Sequence, residues 1–188
     1  SEQDAARKLV KECCQHFGGL DQIVSNAGFA DRTLMGEVDR EALNQSLSAM
    51  TGAFFDLASE AMAPLKDSSC GRVVAISSFV AHRFVADGLF PVTAAAKSAI
   101  EALAKTLAIQ LGPAGVTVNC VAPGYTRKDA GSHRAISSSA LQLAAEKAAT
   151  KRIAEPDDIA ATVEFLLSPG ARQITGQTIH VDGGLSIT

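Results

Sequence analysis

The strongest constraint on this chain is an alternation of two apolar periodicities. Short apolar, β-branched runs at residues 20–24, 72–76, 116–121 and 177–181 are separated by longer stretches with helical spacing. A strand that is apolar throughout is buried on both faces, and strands joined through helices pair in parallel, with the helices covering the sheet. The sequence therefore predicts an α/β fold, a doubly wound parallel sheet of four strands with five helices on its two faces. At 188 residues the chain fits one domain with a full core, and no linker or internal repeat divides it.

Each helix carries its own start and stop signals. Over residues 1–17, Ala6, Leu9, Val10, Cys13 and Phe17 fall on one face; Ser1 offers an N-cap, Asp4 suits the positive end of the dipole, and Gly18-Gly19 stops the helix. Asp39 opens a long helix to about residue 62, with Leu43, Leu47, Met50, Phe54, Leu57 and Met62 at apolar positions and Pro64 ending it. Pro91 suits the first position of a helix over 91–111, striped by Ile100, Leu103 and Leu107 and closed by Gly112-Pro113. Further helices are expected over 140–150 and 155–167, and the polar stretch 126–139 reads as a mobile loop.

Composition excludes several classes of partner. The formal charge is −3 with no basic run, which argues against nucleic acid and anionic membrane surfaces. No apolar run approaches the roughly 20 residues of a membrane helix, and no secretory leader is visible. Cys13, Cys14, Cys70 and Cys120 lack CxxC spacing, and His16, His82, His133 and His180 are scattered. These patterns point to reduced thiols in a cytoplasmic protein without a metal site.

Chemistry concentrates between residues 72 and 97. A hydrophobic strand ends in Ser77-Ser78, a loop follows, and the next helix carries Lys97, with Thr93 one turn earlier on the same face. In its setting this stretch is joined by GGLDQIVSNAG at 18–28, GRVVAISS at 71–78, GVTVNCVAPGY at 115–125 and RIAEPDDIAATVEFLLS…ITGQTIHVDGG across 152–184. Together and in this order they resemble the short-chain dehydrogenase/reductase family, nearest its 3-oxoacyl-(acyl-carrier-protein) reductase branch. The resemblance implies a Rossmann-like sheet, NAD or NADP as cofactor, and hydride transfer between nicotinamide and a small carbonyl or alcohol substrate.

Carried over position by position, the resemblance assigns Ser78 to the substrate oxygen, with Ser77 a rival, and Lys97 to the nicotinamide ribose and to the tuning of a catalytic tyrosine. That tyrosine is replaced by Thr93, and the asparagine that supports a proton relay is replaced by Ala49. A phenol titrates near pH ~10 and a neighbouring ammonium lowers it, whereas an aliphatic hydroxyl is a far weaker acid. Asn26, Ala27, Gly28, Lys97, Pro123, Gly124 and Thr126 match cofactor-binding positions; Gly28 would let the backbone approach the cofactor, a plain strand-end turn being the alternative. Lys128 stands where a threonine meets the nicotinamide amide, and Tyr125 is the single tyrosine of the chain. His82 and Arg83 could face the cleft, His82 as a catalytic replacement, although a lone loop histidine is more simply read as solvated.

The sequence contains no GxxxGxG turn, the element that presents backbone N–H groups to a dinucleotide pyrophosphate. Only the C-terminal part of the fold is therefore expected, the N-terminal βαβ cofactor segment lying upstream or the bare edge of strand 20–24 being covered by a partner. Ala94, Ala95, Ala99 and Ala102 permit close packing, in the core or in a homodimer or homotetramer through helices 39–62 and 91–111. The alternative to an oxidoreductase with a degenerate site is an inactive homologue, a structural subunit or ligand-binding partner in a hetero-oligomer.

Overall fold

The sheet is decided by β-branched residues that are buried whichever way they point. In a computed structural model describing residues 3–86, 88–127 and 138–188, the strands are β1 (Gln22–Ser25), β2 (Arg72–Ile76), β3 (Thr117–Pro123) and β4 (Thr178–Val181). All pairings are parallel, in the order β1-β2-β3-β4, with Val73 opposite Ile23 and Val118 and with Val121 opposite Ile179. Successive residues of a strand face opposite sides, so Val73 joins one core layer and Val74 the other.

Helices cover both layers. On one side lie α1 (Gln3–Phe17), a segmented helix made of α2 (Arg40–Ser46), a π-helical turn (Leu47–Gly52), α3 (Ala53–Glu60) and α4 (Met62–Asp67), and then α5 (Pro91–Leu111). Their core with the sheet holds Met50, Phe54, Leu65, Ile100 and Leu111 against Val73 and Val118. The other side is closed by α7 (Pro156–Leu167), where Leu166 meets Val74 and Val121. α6 (Ser138–Lys147) packs Ala144 and Lys147 beside the C-terminal ends of the strands.

The expected elements are present, with β2 and α5 at their expected bounds, and three local expectations change. First, on α1 Leu9 and Phe17 are 59% and 77% exposed, while Val10 is buried and Cys14 packs against the core. That helix meets mainly α3, so a narrower face than the full apolar stripe is covered. Second, the strand expected from residue 20 begins at Gln22, although Leu20 still packs against the core. Third, Pro64 does not end its helix. The chain breaks at Ala61 (φ −86°, ψ −2°), and Pro64 lies in the first turn of α4, where an N–H would have no intrahelical acceptor. Asp39 caps α2 by accepting the Ala42 N–H at 2.8 Å, and Gly115, at φ +76°, closes the turn after α5 in a left-handed conformation. Ser1 lies outside the described residues, as does most of the polar stretch 126–139.

Among the described residues no helix is long and apolar enough to cross a membrane, and all four cysteines are unpaired. Phe54, 1% exposed at the centre of the larger core, tests the packing. Phe54→Ala is expected to lower unfolding free energy by about 3–5 kcal/mol, read from urea denaturation followed by circular dichroism.

Candidate active site

In a parallel sheet the loops that can form a site gather beyond the C-terminal ends of the strands. Here β2 ends in Ser77-Ser78, β3 in Gly124-Tyr125, and the loop after β1 folds across them. They enclose a cleft of about 880 Å³ lined by Ser78, Thr93, Gln45, Tyr125, Phe90 and Arg32, among others. The two serines separate at once. Ser78 lines the cleft, its Oγ accepting the Val80 N–H at 3.4 Å to cap the short turn Phe79–Ala81. Ser77 is buried and donates its Oγ–H to the Glu101 carboxylate. Of the two candidates, the cleft holds Ser78.

Lys97 and Thr93 lie on the first turns of α5, as their spacing requires. Lys97 is only 6% exposed, and its Nζ donates to the Ile76 carbonyl at 2.7 Å. Burial lowers its pKa from 10.5 to about 8, because the charged form loses hydration. A Cβ on Gly28 would stand 3.1 Å from the Lys97 amine and 3.2 Å from Met50 Sδ. The absence of a side chain there lets the Ser25–Gly28 turn approach the amine closely. Thr93 is 3% exposed, and its Oγ1 accepts the Asp31 N–H at 2.9 Å while keeping its own proton to donate. Ala49 lies in the π-helical turn and offers no side-chain polar atom; the neighbouring Thr51 donates to the Ala96 carbonyl of α5 at 3.0 Å. Tyr125 lines the cleft, its ring packed 4.7 Å from that of Phe79.

The other expected residues divide between this cleft and a neighbour. Asn26 and Pro123 line a second, mainly apolar cleft of about 860 Å³ between the strand ends and α7, and Thr126 lines both. Gly124 lines the first cleft, and a Cβ there would fall 2.8 Å from Asp182 Cα. Glycine is needed where that turn passes the end of β4. Ala27 lies in the turn after β1 and lines neither cleft. Lys128 and His133 lie outside the described residues.

His82 and Arg83, which could have faced the cleft, are not among the residues that line it. His82 Nε2 meets Glu101 Oε1 at 2.8 Å, and its ring contacts that of His180 edge-on at 4.5 Å. Glu101 thus holds both Ser77 and the loop after β2 from one carboxylate. Its position one turn beyond Lys97 was a legible signal. Arg32, Gln45, Phe79 and Phe90 were not singled out by sequence, since only the folded loops bring them to Ser78.

Known proteins share sequence and fold with this chain. The family model described as enoyl-(acyl carrier protein) reductase matches residues 1–186. The chain belongs to the short-chain dehydrogenase/reductase family. It is 31% identical to the 3-oxoacyl-[acyl-carrier-protein] reductase FabG of Staphylococcus epidermidis over 97% of this chain and 73% of that protein. It is 33% identical to the short-chain reductase protein NovJ of Streptomyces niveus, over 96% of this chain and 70% of that one. Among solved structures, a short-chain dehydrogenase/reductase variant of Serratia marcescens superposes with a TM-score of 0.88 at 33% identity, covering 98% of this chain and 73% of that one. Thermoplasma acidophilum aldohexose dehydrogenase shares the fold, with a TM-score of 0.89 at 22% identity over 100% of this chain and 76% of that one. The sheet is therefore of the Rossmann type.

The buried amine has a pH signature. A lysine whose folded pKa is depressed disfavours the folded state while charged, so its penalty is full below pH 8 and disappears as pH rises from about 8 to 10.5. Relative to Lys97→Met, the native chain is expected to gain about 3 kcal/mol of stability across that window. Urea unfolding of both proteins between pH 7 and 10.5 measures this difference.

Proposed function

We propose that this chain is a nicotinamide-dependent oxidoreductase of carbonyl or alcohol substrates, with its proton-transfer step weakened at Thr93. The observation that carries the reading is the placement of Ser78 and Thr93 in one cleft, with the Lys97 amine beside the turn at Gly28. The Ser78 hydroxyl, whose oxygen accepts the Val80 N–H, keeps a proton to donate to the substrate oxygen. Thr93 can donate likewise, but as an aliphatic alcohol it holds its proton too tightly for efficient general acid catalysis at neutral pH.

The residues present suit one end of NAD or NADP. The close approach of Lys97 to Gly28 leaves a cationic donor for a ribose hydroxyl beside the Asn26–Gly28 turn. Pro123, Gly124 and Thr126 would border the nicotinamide. When bound, the dinucleotide supplies or accepts the hydride. Nothing in these 188 residues provides a glycine-rich turn for the pyrophosphate; we assign that role to a βαβ segment N-terminal to them, which would pair with the edge strand β1.

The second reading, a non-catalytic partner subunit, is favoured by two features. Thr93 is tied to the Asp31 N–H, and Ala49 cannot support a proton relay. Thr93→Tyr separates the readings. For a weakened enzyme, restoring the phenol is expected to raise kcat/KM by about 10²–10⁴ in NADH- and NADPH-linked assays over a ketone panel. No turnover by either protein would leave the binding role.

Self-association would use the outer face of α5 with α3. Ala95 and Ala102 are exposed there, Ile109 is 80% exposed, and Phe55 projects from α3. Ile109→Glu is expected to shift a homodimer or homotetramer towards monomer in light scattering coupled to size exclusion; an unchanged mass would place the contact elsewhere.

A further inference from the structure

Beside Ser78 the first cleft is lined by three aromatic rings and an arginine, Phe79, Phe90, Tyr125 and Arg32. The rings of Phe79 and Phe90 lie 6.3 Å apart at 79°, and Tyr125 continues the cluster on the other side of Phe79. Phe79 and Phe90 are themselves mostly buried, 6% and 7% exposed, so they form a fixed apolar wall against which an aromatic or apolar group can pack. Leu143 of α6 also lines this cleft yet is 60% exposed, so an apolar ligand would cover it.

A cation stands at the same wall. Arg32 Cζ lies 4.8 Å from the Phe90 ring centroid, so the guanidinium face is engaged with the ring. Among the described residues Arg32 makes no ion pair. The neighbouring Asp31 accepts the Thr33 N–H on its own Oδ1 at 2.8 Å, a bond that holds the loop in place. A guanidinium stacked on a ring and left with its edge donors available has the geometry for bidentate recognition of a carboxylate or phosphate.

We infer that the cleft takes a carbonyl compound with an aromatic or bulky apolar body and an anionic group, and that Arg32 binds the anion. This rests on the oxidoreductase reading only for the direction of the carbonyl towards Ser78; anion binding itself requires no turnover. Carboxylate and phosphate share the chemistry, and separate probes distinguish them.

The test is calorimetric binding of 3-benzoylpropionate, its methyl ester and phenacyl phosphate to the full chain, with and without NADPH. The native protein is expected to bind at least one of the anions roughly tenfold more tightly than the ester. Arg32→Gln abolishes that preference while leaving ester affinity unchanged, and Arg32→Lys retains part of it. The better of the two anions identifies the group. Equal affinity for anions and ester, no binding of any probe, or an undiminished preference in Arg32→Gln overturns the inference. Preference without turnover under any condition counts against the oxidoreductase reading alone, and turnover without preference counts against the Arg32 assignment alone.

Discussion

Two buried charges on consecutive turns of α5 hold the end of one strand. Lys97 donates to the carbonyl of Ile76, and Glu101 accepts the hydroxyl of Ser77, the next residue along. An isolated charge in a core is costly, and each is tolerated because it meets a polar group that the strand end would otherwise leave unpaired. With Ile76 and Ser77 fixed from one side, Ser78 is turned to the other, into the cleft. The same carboxylate restrains the following loop through His82. The site at the C-terminal end of β2 therefore depends on α5 being in register with the strand to within one helical turn.

The scaffold around Thr93 and Ala49 is fully formed. The π-helical turn that carries Ala49 and the close approach of Lys97 to Gly28 are both formed. Thr93 offers an aliphatic hydroxyl, a far weaker acid than a phenol, and its oxygen is engaged with the backbone of the loop after β1. Thr93 thereby anchors the loop after β1 that forms part of the cleft's wall.

Much of the architecture was legible because it rests on local physics. β2 and α5 begin and end where β-branched content, Pro91 and Gly112-Pro113 place them. Other features depended on what each surface meets. Leu9 and Phe17 have the spacing of a buried stripe, but α1 packs chiefly against α3, leaving both in solvent. Pro64 is a helix breaker by itself, yet the bend at Ala61 starts a new helix in which it is permitted. His82 had the chemistry of an acid and was placed near the cleft by sequence distance alone; its actual partner, Glu101, is 19 residues away on another element.

By itself the sequence determined the parallel α/β scaffold and the helical spacing of Thr93 and Lys97, because backbone periodicity and steric propensity act over a few residues. It also set which chemical groups could be present at all: Lys97 and no tyrosine on that helix, and Ser77-Ser78 at the end of β2. Tertiary structure decided which serine faces the cleft, how far burial depresses Lys97, and that Arg32 stacks on Phe90 beside Ser78. Those outcomes depend on distances between loops far apart in the chain and on the exclusion of water, quantities that no local pattern of residues encodes.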